Sequence, residues 1–226
     1  MKKNWLVKLF TLIITIIIVS SCGEKWLDSH IDDEIQHEIQ KDKTAQFINI
    51  NVGMEAEECY DSIQKLKEMD SIAYLFVVDN YFYSAEDIDS VIELYNDLYI
   101  DSENGTTYGV QINYREDTVK SMYLNSGDPL LWWPVSDKTE NSIELGDSIN
   151  TIYSKIVELE DEDIYTDIVY RTWNKNLDKP YDENMGELDL WYCTRKVGDI
   201  IQEIDFYYNS GVLDSIVRYE FIPFAD

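Results

Sequence analysis

Few residues in this 226-residue chain are of a type that does chemistry: three cysteines, two histidines and a large excess of carboxylates. Cys22, Cys59 and Cys193 are widely separated and form no Cys-x-x-Cys pair, which argues against a dithiol redox motif. In an oxidising compartment Cys59 and Cys193 leave two outcomes open, a disulfide or a pair of buried free thiols. Both histidines lie before residue 38. His30, Glu34 and His37 share one face if their segment is helical, a spacing that suits a metal ion. An isolated helix of that length is marginal in water, so no metal site is assigned. From residue 38 onward there is no histidine, which removes His-based triads and the commonest general base. The chain has no glycine-rich phosphate loop, no Gly-x-Ser-x-Gly elbow and no His-Glu-x-x-His. Asp161-Glu162-Asp163 and Asp87-x-Asp89 read as solvated loop charges rather than a calcium site. A carboxylate-dependent envelope hydrolase remains an alternative, but no acid pair stands out. No catalytic residue, metal or cofactor is assigned.

Cys22 has a context of its own. Lys2 and Lys3 precede an apolar run, Leu9 to Val19, interrupted only by Thr11 and Thr15. That run is too short to span a bilayer and fits the core of a signal peptide. It ends Val19-Ser20-Ser21-Cys22: a branched aliphatic, two small residues, then cysteine. This resembles the lipobox of bacterial lipoproteins. The resemblance implies that residues 1–21 are removed and that Cys22 becomes the mature N-terminus. Cys22 then carries a thioether-linked diacylglycerol and an amide-linked acyl chain such as palmitate. Anchoring by several acyl chains is effectively stable. Gly23 follows the cysteine, so no acidic inner-membrane retention signal is present. The expected location is the cell envelope, lipid-anchored, at the outer membrane rather than the inner, facing the periplasm or the outside.

At pH 7 the chain carries a formal charge of −27, with 45 acidic and 18 basic residues. Loss of Lys2, Lys3 and Lys8 with the signal makes the mature chain more negative still. Such a field repels nucleic acid and anionic headgroups and favours solubility or a basic partner. With 17 Tyr, 7 Phe and 6 Trp the chain is too aromatic to be disordered.

The elements that must position these residues show an internal repeat. Ile50-Asn51-Val52-Gly53-Met54 and Ile143-Glu144-Leu145-Gly146-Asp147 each end near a glycine and open a helical pattern. Ala56, Cys59, Ile63 and Leu66 fall on one helix face; Ile149, Ile152, Ile156 and Leu159 repeat that spacing at an offset of 93. Asp147 or Ser148 caps the second helix. Strand-like runs follow at Ile72–Tyr83 and Ile164–Trp173. Hairpin patterns close each half: Val110, Ile112 and Tyr114 alternate into the turn Arg115-Glu116-Asp117, and Ile204, Phe206 and Tyr208 into Asn209-Ser210-Gly211. Residues 88–100 suit a helix by local pattern and a strand by the repeat. The expected fold class is therefore α+β, with two similar halves, each a helix followed by a mainly antiparallel sheet. The expected segments are the signal peptide (1–21), the lipidated N-terminus and polar tether (22–45), repeat 1 (46–134) and repeat 2 (135–226). Leu130-Leu131-Trp132-Trp133-Pro134 is too apolar for a free linker and should pack the halves together.

This plan resembles the BamE-type fold, on Gly53-Met54 and Gly146, and in tandem it resembles the β-lactamase-inhibitor protein over residues 50–124 and 143–222. The resemblance implies sheets forming a concave, aromatic-rich binding face. The expected function is a non-catalytic protein-binding or scaffold lipoprotein whose partner is another envelope or extracellular protein. The alternative is an acidic inhibitor or immunity protein against a basic toxin or hydrolase. Trp132, Trp133 and Trp191 are the candidate binding residues.

Overall fold

The computed structural model describes residues 40–69, 71–102, 106, 109–135, 138–161 and 168–221. The signal segment with Cys22 and the His30, Glu34 and His37 constellation lie outside the described residues.

In chain order the strands are β1 (Gln40–Thr44), β2 (Gln46–Phe47), β3 (Ile50–Asn51), β4 (Tyr74–Val77), β5 (Tyr81–Phe82), β6 (Asp97–Ser102), β7 (Val110–Arg115), β8 (Thr118–Leu124), β9 (Trp132–Trp133), β10 (Ile143–Glu144), β11 (Ile168–Thr172), β12 (Asn174–Lys175), β13 (Leu190–Val197), β14 (Ile200–Asn209) and β15 (Val212–Phe221). The α-helices are α1 (Ala56–Glu68), α2 (Ala85–Ile88) and α3 (Ile149–Asp161), with 3₁₀ turns at Ile92–Leu94 and Glu183–Glu187. The class is α+β, and among the described residues all strand pairing is antiparallel. A six-stranded sheet runs β1-β15-β14-β13-β4-β12 and a five-stranded sheet β5-β11-β6-β7-β8. No described helix is long and apolar enough to cross a membrane.

Helix α1 forms where the spacing places it. Ala56, Cys59, Tyr60, Ile63 and Leu66 are buried along one face. Glu57 and Glu58 sit in its first turn and Lys65 and Lys67 in its last, matching the helix dipole. No side chain caps its N-terminus; Ala56 N–H instead donates to Gly211 O at 2.8 Å, in the turn of the β14–β15 hairpin. Helix α3 does the corresponding thing: Ile149 N–H donates to Asp117 O at 3.1 Å, in the turn of the β7–β8 hairpin, and the Ser148 hydroxyl accepts from Thr151 N–H at 3.2 Å. Ahead of the helices Gly53 (φ +95°) and Gly146 (φ +90°) adopt a backbone that only glycine holds without strain. Each donates its N–H to a hairpin strand, Gly53 to Leu213 O at 2.8 Å and Gly146 to Val119 O at 3.0 Å. Both hairpins turn through two residues with positive φ, Glu116-Asp117 and Ser210-Gly211, the twist that suits a tight antiparallel pair.

The sheets are not divided at residue 134. Strand β4 pairs with β13, and β11 pairs with both β5 and β6, so each sheet draws strands from both sides of that boundary. Each helix begins against the hairpin from the other side. A helix stripe and an alternating strand specify that they must be covered, not by which partner, and long-range pairing decides the partner. The core is one contiguous cluster running through both sheets, including Ile63, Leu75, Trp191 and Phe206 together with Leu98, Ile112, Ile152 and Ile156.

Two further differences follow. Residues 40–44, read as tether, form the edge strand β1 against β15, in register from Gln40↔Glu220 to Thr44↔Ile216. Edge pairing needs backbone hydrogen bonds rather than an apolar face, so a polar, charged sequence fits there and leaves no hydrophobic signal. Residues 88–100 are neither one helix nor one strand: α2, capped by the Ser84 hydroxyl accepting from Asp87 N–H at 3.3 Å, gives way to the 3₁₀ turn and then to β6.

Candidate functional site

The six-stranded sheet has two unlike faces. On one, Gln202, Ile204, Phe206 and Tyr208 of β14 align with Trp191 and Cys193 of β13, Leu75 and Val77 of β4, and Ile216 of β15. Helix α1 and the turn Glu183–Glu187 pack over this side: Phe47 meets the Phe206 ring edge-on at 6.2 Å, and Tyr181 lies 5.7 Å from Tyr60 and 6.3 Å from Trp191.

The other face is set by the alternate residues. Cross-strand registers place Tyr74 and Phe76 (β4), Tyr192 and Thr194 (β13), Glu203, Asp205 and Tyr207 (β14), and Val217 and Tyr219 (β15) side by side. Phe76 stacks on Tyr192 with ring centroids 4.8 Å apart and an interplanar angle of 19°, and Tyr74 stands 6.0 Å from Phe76. The five aromatic residues are half-buried. In their midst Tyr192 and Val217 flank Asp205, and Thr194 and Tyr219 flank Glu203.

The electrostatics of this face are unusual. Asp205 is 7% exposed and accepts from the Tyr207 hydroxyl at 3.1 Å. Glu203 accepts no hydrogen bond among the described residues. Burial pushes its carboxyl from 4.5 up to about 7, and the neighbouring Asp205 charge adds to the rise. Two carboxylates two residues apart on one strand point to the same side. The face therefore presents concentrated negative potential inside an aromatic frame, which suits a cation that also has apolar surface.

At the far edge this face meets the five-stranded sheet. Asn96 N–H donates to Asn174 O at 2.8 Å. Asp97, buried there, takes hydrogen bonds from the side chains of Asn113 and Asn174; burial nevertheless raises its carboxyl to about 6. Asp101 continues the polar network, accepting from the Tyr99 hydroxyl at 2.6 Å, Thr106 N–H at 2.7 Å and the Asn125 amide at 2.8 Å.

The residues singled out from sequence fall elsewhere. Trp191 is fully buried, donates its indole N–H to Met185 O at 2.9 Å and packs 4.3 Å from Tyr208. Trp133 is buried in β9, paired with Ile143. Trp132 is half-buried on the separate β9–β10 ribbon, with Lys138 Nζ 5.6 Å from its ring. The three do not share a surface, because Trp191 and Trp133 point into the core. Cys59 and Cys193 are free buried thiols, not a disulfide; burial raises Cys59 to about 11 and pushes Cys193 up as well. Such thiols are packing groups rather than nucleophiles. Asp87 and Asp89 belong to the short helix α2 and its C-terminus.

Tyr74, Phe76, Tyr192, Glu203, Asp205, Tyr207 and Tyr219 were not singled out from sequence. The signal was present in the alternation itself: the residues opposite Ile204, Phe206 and Tyr208 are acidic and aromatic, not the small polar set of an ordinary solvated face.

No protein-family model, curated protein or solved structure matches this chain.

Proposed function

We propose that this chain is a lipid-anchored cell-envelope protein that acts as a non-catalytic protein-binding or scaffold module, and that it binds through the face of its six-stranded sheet that no described helix covers. The observation that carries this reading is the half-exposed cluster Tyr74, Phe76, Tyr192, Tyr207 and Tyr219, arranged around Glu203 and Asp205. Aromatic side chains in a flat, rigid array supply binding area at low entropic cost and dominate interface hot spots. The signal pattern and Cys22 support anchoring at the outer membrane.

We also read the chain as a duplicated plan whose helices have been exchanged between hairpins. In support, the glycines at φ near +90° are 93 residues apart, and the hairpin turns and strand bulges are each 94 apart. The acidic-inhibitor alternative uses the same face, and the two carboxylates at its centre favour it.

The test is affinity purification of the lipidated chain from its own envelope, with Phe76→Ala and Tyr192→Ala as paired variants and mass spectrometry of the eluate. A partner lost from both variants while their folding is unchanged supports the reading. A partner retained at full yield by both refutes it. Cys22→Ala should move the protein to the soluble fraction; full partition with membranes would overturn the anchor.

A further inference from the structure

We propose that Arg171 receives a carboxylate from an acidic side chain of a partner protein, on the outward side of the five-stranded sheet beside Tyr81 and Tyr83. This rests on the protein-binding role proposed above, but on none of the residues of the six-stranded face.

Strand β11 brings Arg171 to that side. Its register sets Arg171 between Tyr81 of β5 and Tyr99 of β6, while the adjacent Tyr170 lies between Phe82 and Ile100, all three buried. Alternation therefore turns Arg171 away from the core. Its guanidinium carbon lies 5.2 Å from the centroid of the Tyr81 ring. A ring contact occupies the flat face of a guanidinium and none of its N–H donors, which lie in its plane.

Those donors carry the inference. Arg171 is half-buried and makes no hydrogen bond or ion pair among the described residues. Its Nε is shielded from solvent and meets no acceptor. A charged donor withdrawn from water without an acceptor is costly, and a partner that supplies one recovers the loss. The chain's own carboxylates on this side are committed elsewhere: Asp101 to Tyr99, Thr106 and Asn125, and Asp97 to Asn113 and Asn174. Beside Arg171, Tyr81 is 41% exposed and Tyr83 69% exposed, and Tyr83 makes no hydrogen bond or ring contact among the described residues. Tyrosine and arginine together are the composition of an interface hot spot. The guanidinium fork matches a planar carboxylate, which accepts two parallel N–H bonds once the side chain tips toward it. A free anion is the weaker candidate, because the field of a chain at −27 repels it and a single cation is a poor trap. A carboxylate carried on a protein also gains contact with the tyrosine rings.

The experiment uses the processed chain purified in detergent micelles. Nitrogen-15 NMR follows the arginine Nε–H resonances, and Arg171→Lys assigns the Arg171 signal by removing it. Affinities are read by surface-plasmon measurements on the immobilised chain. The probes are capped seven-residue peptides of alternating Thr and Val with a central glutamate, glutamine or lysine, and sodium acetate. The glutamate peptide should move the Arg171 Nε–H resonance saturably, bind at least about fivefold more tightly than the glutamine peptide, and exceed the lysine peptide by more. Arg171→Gln should lower the glutamate affinity to that of glutamine without altering the circular dichroism spectrum. Arg171→Lys, which keeps the charge and loses the fork, should restore only part of it. Tyr83→Ala should weaken both the glutamate and the glutamine peptide.

Equal binding of the glutamate and glutamine peptides, or failure of every peptide to bind, would overturn the inference. So would glutamate binding that is indifferent to Arg171→Gln; if that binding is lost in Tyr192→Ala, the six-stranded face stands and only this site falls. An envelope partner kept by the Phe76→Ala and Tyr192→Ala variants, with peptide binding still dependent on Arg171, would instead remove the six-stranded face and leave this site. Acetate moving the Nε–H resonance at the same concentration as the glutamate peptide would overturn the partner by making a free anion the occupant. Self-association abolished by Arg171→Gln would overturn it by making a second copy the occupant.

Discussion

Neutralising Glu203 should stabilise this protein, and only above a definite pH. The folded state holds the Glu203 carboxyl at about 7, against 4.5 ordinarily, because burial and the Asp205 charge disfavour its ionised form. Below 4.5 the group is protonated in both folded and unfolded chains and contributes nothing. Between 4.5 and about 7 the unfolded chain releases the proton and the folded chain does not, so stability falls as pH rises. Above 7 the full penalty is present. The interval corresponds to at most about 3 kcal/mol, and solvent at the half-exposed face reduces it to about 1–2 kcal/mol. Glu203→Gln keeps the shape and removes the charge, so it should gain that amount at pH 8 and close to nothing at pH 5. In urea, with a slope of about 2 kcal/mol per molar for a domain of this size, the midpoint should rise by roughly 0.5–1 M at pH 8. The assay is equilibrium urea unfolding of wild type and variant at pH 5, 6, 7 and 8, followed by tryptophan fluorescence. A gain equal at all four values would mean that glutamine improves packing rather than relieving a charge. A loss at pH 8 would mean that the carboxylate is already satisfied, and the electrostatic account of the face would fail.

Other perturbations probe the rest of the fold. Lys175 is fully buried between the rings of Tyr60 (5.0 Å) and Tyr95 (5.7 Å), and desolvation lowers its ammonium to about 7, with Asp182 opposing. A lowered base penalises the fold fully below 7 and progressively less as pH rises toward 10.5. Lys175→Met should therefore stabilise by a few kcal/mol at pH 6 and by little at pH 10, as read by thermal melts at both; destabilisation at pH 6 would refute this. Gly53→Ala and Gly146→Ala place a side chain where φ is positive and should each lower stability by about 1–2 kcal/mol in urea unfolding; neutral variants would refute the strain argument. Cys59 and Cys193 should resist a water-soluble thiol reagent in the native protein and react once unfolded, and rapid native labelling at pH 8 would contradict their burial.

Much of the local structure was legible because local rules produced it. The stripes of α1 and α3, the glycines that open them and the two hairpin turns follow from spacing and backbone preference alone. Edge strand β1 was illegible for a physical reason: its polar side chains contribute no pattern, and only the unpaired edge of β15 calls it into the sheet. Trp191 shows a related limit. It sits on one side of an alternating strand beside Leu190 and Tyr192, and the alternation says that one side is inward without saying which. The half-exposed side turned out to hold Tyr192, stacked on Phe76 from a strand more than a hundred residues away.

Sequence by itself thus determined that the chain is acidic and aromatic, that it lacks histidine beyond its first segment, and that helices and hairpins recur at offsets of 93 and 94. These are properties of composition and of contacts within a few residues. Tertiary structure alone decided which sheet each helix covers, because β4 and β11 cross the midpoint to pair with distant strands. That exchange also decides which side of β13, β14 and β15 is core. Burying Trp191, Cys193, Ile204 and Phe206 under α1 leaves Glu203 and Asp205 on the opposite side among tyrosines. A carboxylate acquires a raised proton affinity only through such neighbours, so this feature of the candidate site has no counterpart in sequence alone.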